Sequence, residues 1–326
     1  MTMAERIRWG ILSTGWIAES FVHGLRQLPD AELAAVGSRS VEAAQAFADR
    51  FGFARAHGTW QALAADPEVD VIYVATPHHA HFDATMTCLQ AGKAALTEKP
   101  FTLDRATSET LVETARSNGV FLMEAMWMRC IPAIRRIAGL ISDGVIGDVV
   151  NVQADFGLQG PVDESHRLRN RALGGGALLD LGVYPVTFAH LFLGAPSSVQ
   201  AWAQLTAGGV DENTGLVLGY DSGATAVLSC SLTGDTSRRG VITGRLGRIE
   251  VPREFYHPRG FAVVRGGDVE QVDVPYEGHG YHFEAEEVQR CLREGLLESP
   301  LIPHSETLSV MRTLDLARAQ IGVTYD

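Results

Sequence analysis

The sequence predicts an α/β protein in two parts: a doubly wound parallel sheet, then an α+β domain with a large, mostly antiparallel open sheet. Three observations predict it. Through residue 124, short apolar runs alternate with helical patterns, as repeated βαβ units require. The run Val69–Ala75 is nearly all apolar and β-branched, which suits a strand buried on both faces of a parallel sheet. From residue 125 the runs alternate in polarity between Gly-rich turns, which favours antiparallel pairing. At roughly 150 residues per domain, 326 residues make about two. The expected division is 1–124 for the parallel-sheet domain and 125–326 for the α+β domain, with the last helix free to return to the first domain.

Each element has a local reason. Ile7–Leu12 is an apolar strand ending in Ser13-Thr14-Gly15, and a helical pattern opens at Trp16. Pro29-Asp30 turns the chain into a second strand at Leu33–Val36. Val41–Phe51 is rich in good helix formers. Thr76-Pro77 ends the strand at Val69–Ala75, Ala80–Gln90 reads as a helix closed by Gly92, and Ala94–Thr97 as a strand. Asp104 is placed to cap a helix running to Ser117, and Val120–Met123 follows as a strand. In the second part Val149–Phe156, Val199–Leu205, Thr214–Tyr220, Ala224–Leu232 and Arg248–Val251 read as strands. A helix at Gly175–Leu193 interrupts them, and helical patterns at Tyr281–Glu294 and Glu306–Ala319 end the chain. With no repeat or low-complexity tract, the boundary is expected to be a hinge.

Composition excludes several classes. A chain 46% hydrophobic and 20% charged is that of an ordered globular protein. A formal charge of -12 makes it a poor counterion for nucleic acid. No apolar run approaches the roughly 18–20 residues that cross a bilayer, and Met1–Gly10 is charged, without a leader's apolar stretch. The four cysteines show neither Cys-x-x-Cys nor zinc-ribbon spacing. Reduced thiols and a cytoplasmic location are therefore expected.

The first chemical signal is the turn after the first strand. A dinucleotide's pyrophosphate needs backbone N–H groups at a helix N-terminus and small residues that let the backbone approach. In Gly10-Ile-Leu-Ser13-Thr14-Gly15-Trp16-Ile17-Ala18, Gly15 and Ala18 fit the Rossmann fingerprint, while Ser13 stands at its first glycine. Ser13, Thr14, Gly15, Trp16 and Ile17 are thus candidate cofactor contacts. An NAD site places an acid at the end of the second strand. Here Gly37-Ser38-Arg39-Ser40 holds none, and Ser38 and Arg39 offer the hydroxyl and guanidinium that a 2′-phosphate needs. The reading favours NADP and leaves NAD open.

At Glu98-Lys99-Pro100 the chain resembles the Gfo/Idh/MocA family of sugar and diol oxidoreductases. The resemblance extends through Val74-Ala-Thr-Pro-His-His-Ala-His81, Met123-Glu-Ala-Met-Trp127-Met-Arg129 and Gly174-Gly-Gly-Ala-Leu-Leu-Asp180-Leu-Gly-Val-Tyr184-Pro185. The branch it is most similar to holds the dimeric dihydrodiol dehydrogenases and NADP-dependent D-xylose dehydrogenases. The motifs span residues 10 to 185; the strand-rich remainder matches in architecture alone.

The resemblance implies hydride transfer between a nicotinamide and a secondary alcohol or hemiacetal of a sugar, cyclic polyol or trans-diol. The alcohol's proton must leave as its C–H bond breaks, and a lysine with a neutral fraction near pH 7 can take it. Lys99 matches the family's acid/base, often followed by a cis bond to proline. Glu98 pairs with cofactor or lysine, or is sent to the opposite face by strand alternation. Asp180 and Tyr184, four apart on one expected helix, share a face. By resemblance they orient the substrate across a cleft from Lys99, and either Tyr184 or Lys99 carries the proton. Thr76, Pro77 and His81 match a strand-end segment lining the cofactor pocket, with a helix-capping role open for His81. Trp16 is expected to cover the nicotinamide and Trp127 the substrate. Arg129 binds substrate or makes a structural ion pair, and Asn170, with Arg169, is a substrate-loop candidate. His78, His79 and His81 are too crowded for one tetrahedral site, so no metal is expected. Homodimers or homotetramers through the second-domain sheet are implied, with Val199-Gln-Ala-Trp202-Ala-Gln-Leu205 as a candidate stretch. Two alternatives stay open: a tightly bound cofactor used transiently in hydrolysis or epimerisation, and a non-catalytic NADP sensor.

Overall fold

Apolar side chains on both faces make a strand fit only for the centre of a layered structure, and the middle of the first sheet is built from such strands. In the computed structural model, which describes residues 6–325, β1 (Ile7–Leu12), β2 (Ala31–Gly37), β3 (Arg55–His57), β4 (Val71–Val74), β5 (Ala94–Glu98) and β6 (Leu122–Ala125) form one sheet. Its order is β3-β2-β1-β4-β5-β6 and every pairing is parallel. All residues of β4, β5 and β6 are buried. The crossovers carry α1 (Trp16–Leu25), α2 (Val41–Phe51), α3 (Trp60–Ala64), α4 (His81–Gln90) and α5 (Arg105–Asn118). Strand order reverses between β1 and β4, and such a reversal opens a crevice at the carboxyl ends of the strands.

Three residues of β3 and five of α3 are too short to leave a periodic signal in the sequence. After α6 (Pro132–Ser142), β7 (Val149–Gly157), α7 (Val183–Leu193), β8 (Ser198–Leu205), β9 (Asp211–Gly219), β10 (Thr225–Ser231), β11 (Gly240–Gly244), β12 (Arg248–Val251), β13 (Gly260–Arg265) and β14 (Asp268–Asp273) follow. The eight strands form one sheet in the order β14-β13-β12-β11-β7-β10-β9-β8. Only β7 and β10 pair in parallel; the other neighbours are antiparallel. β13 and β14 form a hairpin across Gly266-Gly267, both with positive φ. β14 is exposed almost throughout, so it lacks the apolar alternation that marks the other strands.

α7 lies against β7 and β10, and burial alternates along β8, β9 and β10. One face is thus core and the other is open, with Trp202 69% exposed beside outward Val217 and Val227. The helical stretch Arg171–Leu193 is long and apolar enough to cross a membrane by length and composition, which the sequence reading did not register. Because 83% of its most apolar window is buried inside the protein, it is a core helix.

By contacts the chain divides into two compact units. One takes the chain up to Thr102, Ala106–Trp127 and Gly278–Thr307; the other takes Leu103–Arg105, Met128–Glu277 and the chain from Leu308. The first unit therefore includes α8 (Tyr281–Arg293), whose start packs on α1 where Gly24 leaves room for the backbone of Tyr281 and His282. The last helix, α9 (His304–Ile321), belongs to the first unit through Thr307 and to the second beyond it.

Candidate active site

In the first unit, the residues after β1 form a cradle. The Ser13 amide donates to the Gly37 carbonyl (2.9 Å), and Ser13 takes φ +117°, a region natural to glycine. The backbone thus keeps the glycine conformation where the sequence departs from the fingerprint. Gly15 caps α1 without any side-chain hydrogen bond, which leaves the first-turn N–H groups for a ligand. A Cβ on Gly15 would meet nothing of the protein nearer than the Ser13 Oγ at 3.8 Å, so internal packing does not demand glycine there. Beyond β4, the Thr76 hydroxyl is buried with no hydrogen-bond partner. Bare helix-end amides, an open approach and an orphaned hydroxyl fit a dinucleotide's phosphates and sugars. Thr14 and Ile17 are half-exposed to half-buried around this turn, Pro77 is exposed, and Trp16 stands 72% exposed.

Ser38 donates its amide to the His57 carbonyl (3.1 Å) and Arg39 is exposed. The next hydroxyl, Ser40, caps α2 by accepting from the Ala43 amide (3.2 Å) and donates to Glu42 (2.7 Å). Ser38 and Arg39 are left as the pair able to meet a 2′-phosphate.

The carboxyl end of β5 holds Lys99, half-buried, and its bond to Pro100 is cis. Glu98 turns inward: its Oε1 accepts the Tyr73 hydroxyl and its Oε2 the Lys99 amide (3.1 Å). Burial, with Glu98 beside it, drives the Tyr73 phenol well above its ordinary range, so it remains a donor. Glu284 of α8 is fully buried, and neither carboxyl oxygen has a hydrogen-bond partner. Burial and the nearby Glu98 push it well above the usual carboxylate range.

His81, expected to line the pocket or to cap a helix, is the first residue of α4. Its ring is fully buried, and its nitrogens meet the carbonyls of Pro100 and Thr76, each at 2.8 Å. It is a strut between the ends of β4 and β5. Two carbonyl partners favour an imidazolium, whereas burial and the neighbouring His78 and Lys99 push the ring down to about 3. An unpaired buried charge costs more than one unmet acceptor, so the neutral ring prevails and donates to one carbonyl. Among the described residues no group of three or more His, Cys, Asp or Glu could hold a metal. Trp127, also in the first unit, is buried against Tyr281 with ring centroids 4.5 Å apart.

In the second unit, Asp180 and Tyr184 are each 5% exposed. They do not share a regular α-helix: Leu178–Gly182 is a π turn and α7 begins after it. Such turns recur at functional positions. Arg167 donates to the Asp180 Oδ1 at 3.1 Å. The Tyr184 ring lies 5.4 Å from Phe156 and 5.2 Å from Tyr256, themselves stacked at 4.4 Å. Arg129 is half-buried and acts electrostatically on His190. Asn170 spends its side-chain oxygen on the Ala172 amide (2.9 Å), and Arg169 is paired with Glu164 and Glu212. These contacts hold the loop that carries both residues.

Comparison with known proteins now decides the family. Residues 7–126 match the Gfo/Idh/MocA oxidoreductase family, NAD-binding Rossmann fold, and residues 134–250 match its C-terminal domain. The chain belongs to the Gfo/Idh/MocA family. It is an oxidoreductase with an NAD(P)-binding Rossmann domain. It is 38% identical to a trans-1,2-dihydrobenzene-1,2-diol dehydrogenase of Xenopus tropicalis, over 98% of this chain and 99% of that one. It is 36% identical to an NADP(+) D-xylose 1-dehydrogenase of Hypocrea jecorina, over 98% and 93%. A 3-ketoreductase from Actinomadura kijaniata, solved with NADP and TDP-benzene, superposes with a TM-score of 0.87 at 28% identity, covering 97% of this chain and 98% of that one.

Within this family member, the sequence reading missed Arg167, Phe156, Tyr256, Tyr281 and Glu284. Tyr256 lies in an irregular loop, where no periodicity flags it. Phe156 ends a predicted strand and Arg167 precedes the glycine run, but neither belongs to a motif.

The buried histidines give a pH dependence. Burial, with Arg129 nearby, pushes His190 down to about 4, and His81 lies near 3. The unfolded chain binds protons at these rings near their ordinary 6.5 while the folded chain does not. Their contribution is therefore complete above that value and is lost as pH falls through about 4 for His190 and about 3 for His81. Urea unfolding at about pH 7.5 and about pH 5 should show lower stability at the acid value, with His81→Gln losing less between the two. A wild-type His81 contribution that grows in acid would instead establish the imidazolium donating to both carbonyls.

Proposed function

We propose that this protein is an NADP-dependent dehydrogenase acting on a secondary alcohol or hemiacetal of a sugar, cyclic polyol or trans-diol. The observation that carries the reading is Lys99 at the carboxyl end of β5, in the sheet whose β1 and β4 ends form the phosphate cradle. The bound nicotinamide supplies the acceptor for hydride from the hydroxyl-bearing carbon. Lys99 takes the hydroxyl proton as that C–H bond breaks, and returns it in ketone reduction. Tyr184 is the other candidate for this proton, and Asp180, held by Arg167, orients the hydroxyl. The names of the diol and xylose dehydrogenases support the substrate class. Aromatic rings at Phe156 and Tyr256, beside Tyr184 in the second unit, favour a cyclic substrate with an apolar face.

Lys99→Met should leave NADPH binding intact, read by cofactor fluorescence, and lower turnover of a diol and of D-xylose by about 10²–10⁴-fold. Near-normal turnover would sink the role of Lys99, and an equal loss in Tyr184→Phe would move the proton to the tyrosine. Arg39→Asp should shift the ratio of NADPH to NADH affinity by about tenfold or more toward NADH; an unchanged ratio places the 2′-phosphate elsewhere.

The same reading includes a homo-oligomer through the open face of the second sheet. Trp202, Val217 and Val227 lie on its outer side, and the last two are cross-strand neighbours. An exposed tryptophan beside outward valines is an interface signature. Trp202→Glu should lower the mass measured by light scattering to that of a monomer. A wild-type protein that is already monomeric would remove the proposal.

A further inference from the structure

The stretch that carries Asp180 and Tyr184 is anchored from outside itself. Asp211, the first residue of β9, is 0% exposed. Its Oδ2 accepts the Leu178 amide (2.7 Å) and the Thr214 hydroxyl (2.6 Å), and its Oδ1 has no hydrogen-bond partner. Leu178 opens the π turn, and no side chain caps that turn locally. A Cβ on Gly176 would lie 2.4 Å from the Asp211 Oδ1, and Gly176 has φ +123°, so glycine alone lets turn and carboxyl share this space. The Tyr325 hydroxyl holds the same turn, donating to the Gly175 carbonyl at 2.6 Å. Its ring lies 5.1 Å from the Arg318 guanidinium, which pairs with Asp315. At the far end of the π turn, Gly182 seats against β10, where a Cβ would come 2.9 Å from the Cys230 sulfur.

A carboxyl so deeply buried, with one oxygen unmatched, is costly. Burial pushes it above the usual carboxylate range, yet its other oxygen is committed to the one amide that fixes where the π turn starts. Resting on the roles given above to Asp180 and Tyr184, we propose that Asp211 and Tyr325 are positioning residues, which fix the Gly174–Gly176 turn and so hold Asp180 and Tyr184 in their working orientation. Asp211 sets the start of the π turn; Tyr325 stops the glycine run from sliding along it. Neither residue touches substrate in this account, so both act through geometry.

Three full-length variants test it: Asp211→Ala, Asp211→Asn and Tyr325→Phe. In Asp211→Ala and Tyr325→Phe, amide hydrogen exchange over Leu178–Tyr184 should accelerate about tenfold or more, with the first unit unchanged. With NADP+ and either D-xylose or trans-1,2-dihydrobenzene-1,2-diol, kcat should fall about tenfold while KM and NADPH affinity stay within about twofold. Asp211→Asn, whose amide oxygen can accept both donors, should restore exchange and kcat. Unchanged exchange in this stretch overturns the proposal whether or not the protein turns over, as does acceleration spread through both units. A wild-type protein inactive on both alcohols counts against the functional reading alone, because the exchange comparison stands without turnover.

Discussion

Parallel strands leave no edge-on hairpins at their carboxyl ends, and where strand order reverses the connecting chains leave in opposite directions. The reversal between β1 and β4 is the constraint on which the rest of the first unit depends. Because β1 is central, its two neighbours fix its register: the Ser13 amide is tied to Gly37 and the Leu12 carbonyl receives the Ala75 amide. The turn at Ser13–Gly15 is therefore not a free loop. Its strain at Ser13, with φ +117°, is sustained by strands on both sides, as conformations costing about 1–3 kcal/mol must be. The consequence is chemical: α1 starts at a fixed point, behind a turn where the nearest protein atom to a Cβ on Gly15 would be the Ser13 Oγ at 3.8 Å.

Buried polar groups extend this constraint to neighbouring strand ends. The His81 ring is wedged between the carbonyls of Thr76, after β4, and Pro100, after β5, and Glu98 bridges Tyr73 of β4 to the amide of Lys99. The Glu98 tie crosses from β4 to the end of β5, so the lysine inherits its place from β4 as well as from its own turn. Tyr73 is itself stacked on Phe21 of α1, with ring centroids 3.8 Å apart. Cradle, tyrosine, glutamate and lysine are thus one chain of contacts within the first unit. Buried Glu284, whose carboxyl acts electrostatically on Glu98, closes the set from α8, a helix some 180 residues further along the sequence, which no local pattern connects to β5.

What the sequence made legible follows from the range of the physics involved. Apolar runs and glycine turns act over a few residues, so β1, α2 and β12 fall where the pattern places them, and the parallel first sheet with a mostly antiparallel second sheet was readable. Motif residues were readable through family resemblance, not through periodicity. The π turn was not, because a spacing of four looks the same whether the intervening turn is α or wider. That the His81 ring lies between two backbone carbonyls was not legible, because its motif names a position and not a hydrogen bond. Arg167, Tyr256 and Glu284 act across long separations or from irregular loops, where sequence offers only composition.

The two units handle their polar residues by the same logic in different materials. In the first, a parallel sheet supplies aligned strand ends, and short side-chain ties lock them together. In the second, an antiparallel sheet offers no such row of carboxyl ends, so polar residues must be presented by a helix lying on its inner face. A regular helix buried on that face would turn only apolar side chains toward the strands; α7 is apolar nearly all round. Asp180 enters that environment in the widened turn before α7, where Arg167 offsets its charge. Tyr184, one residue into α7, keeps its ring among Phe156 and Tyr256. The π turn is thus the place where a core helix accommodates a carboxylate without forfeiting the packing that holds it.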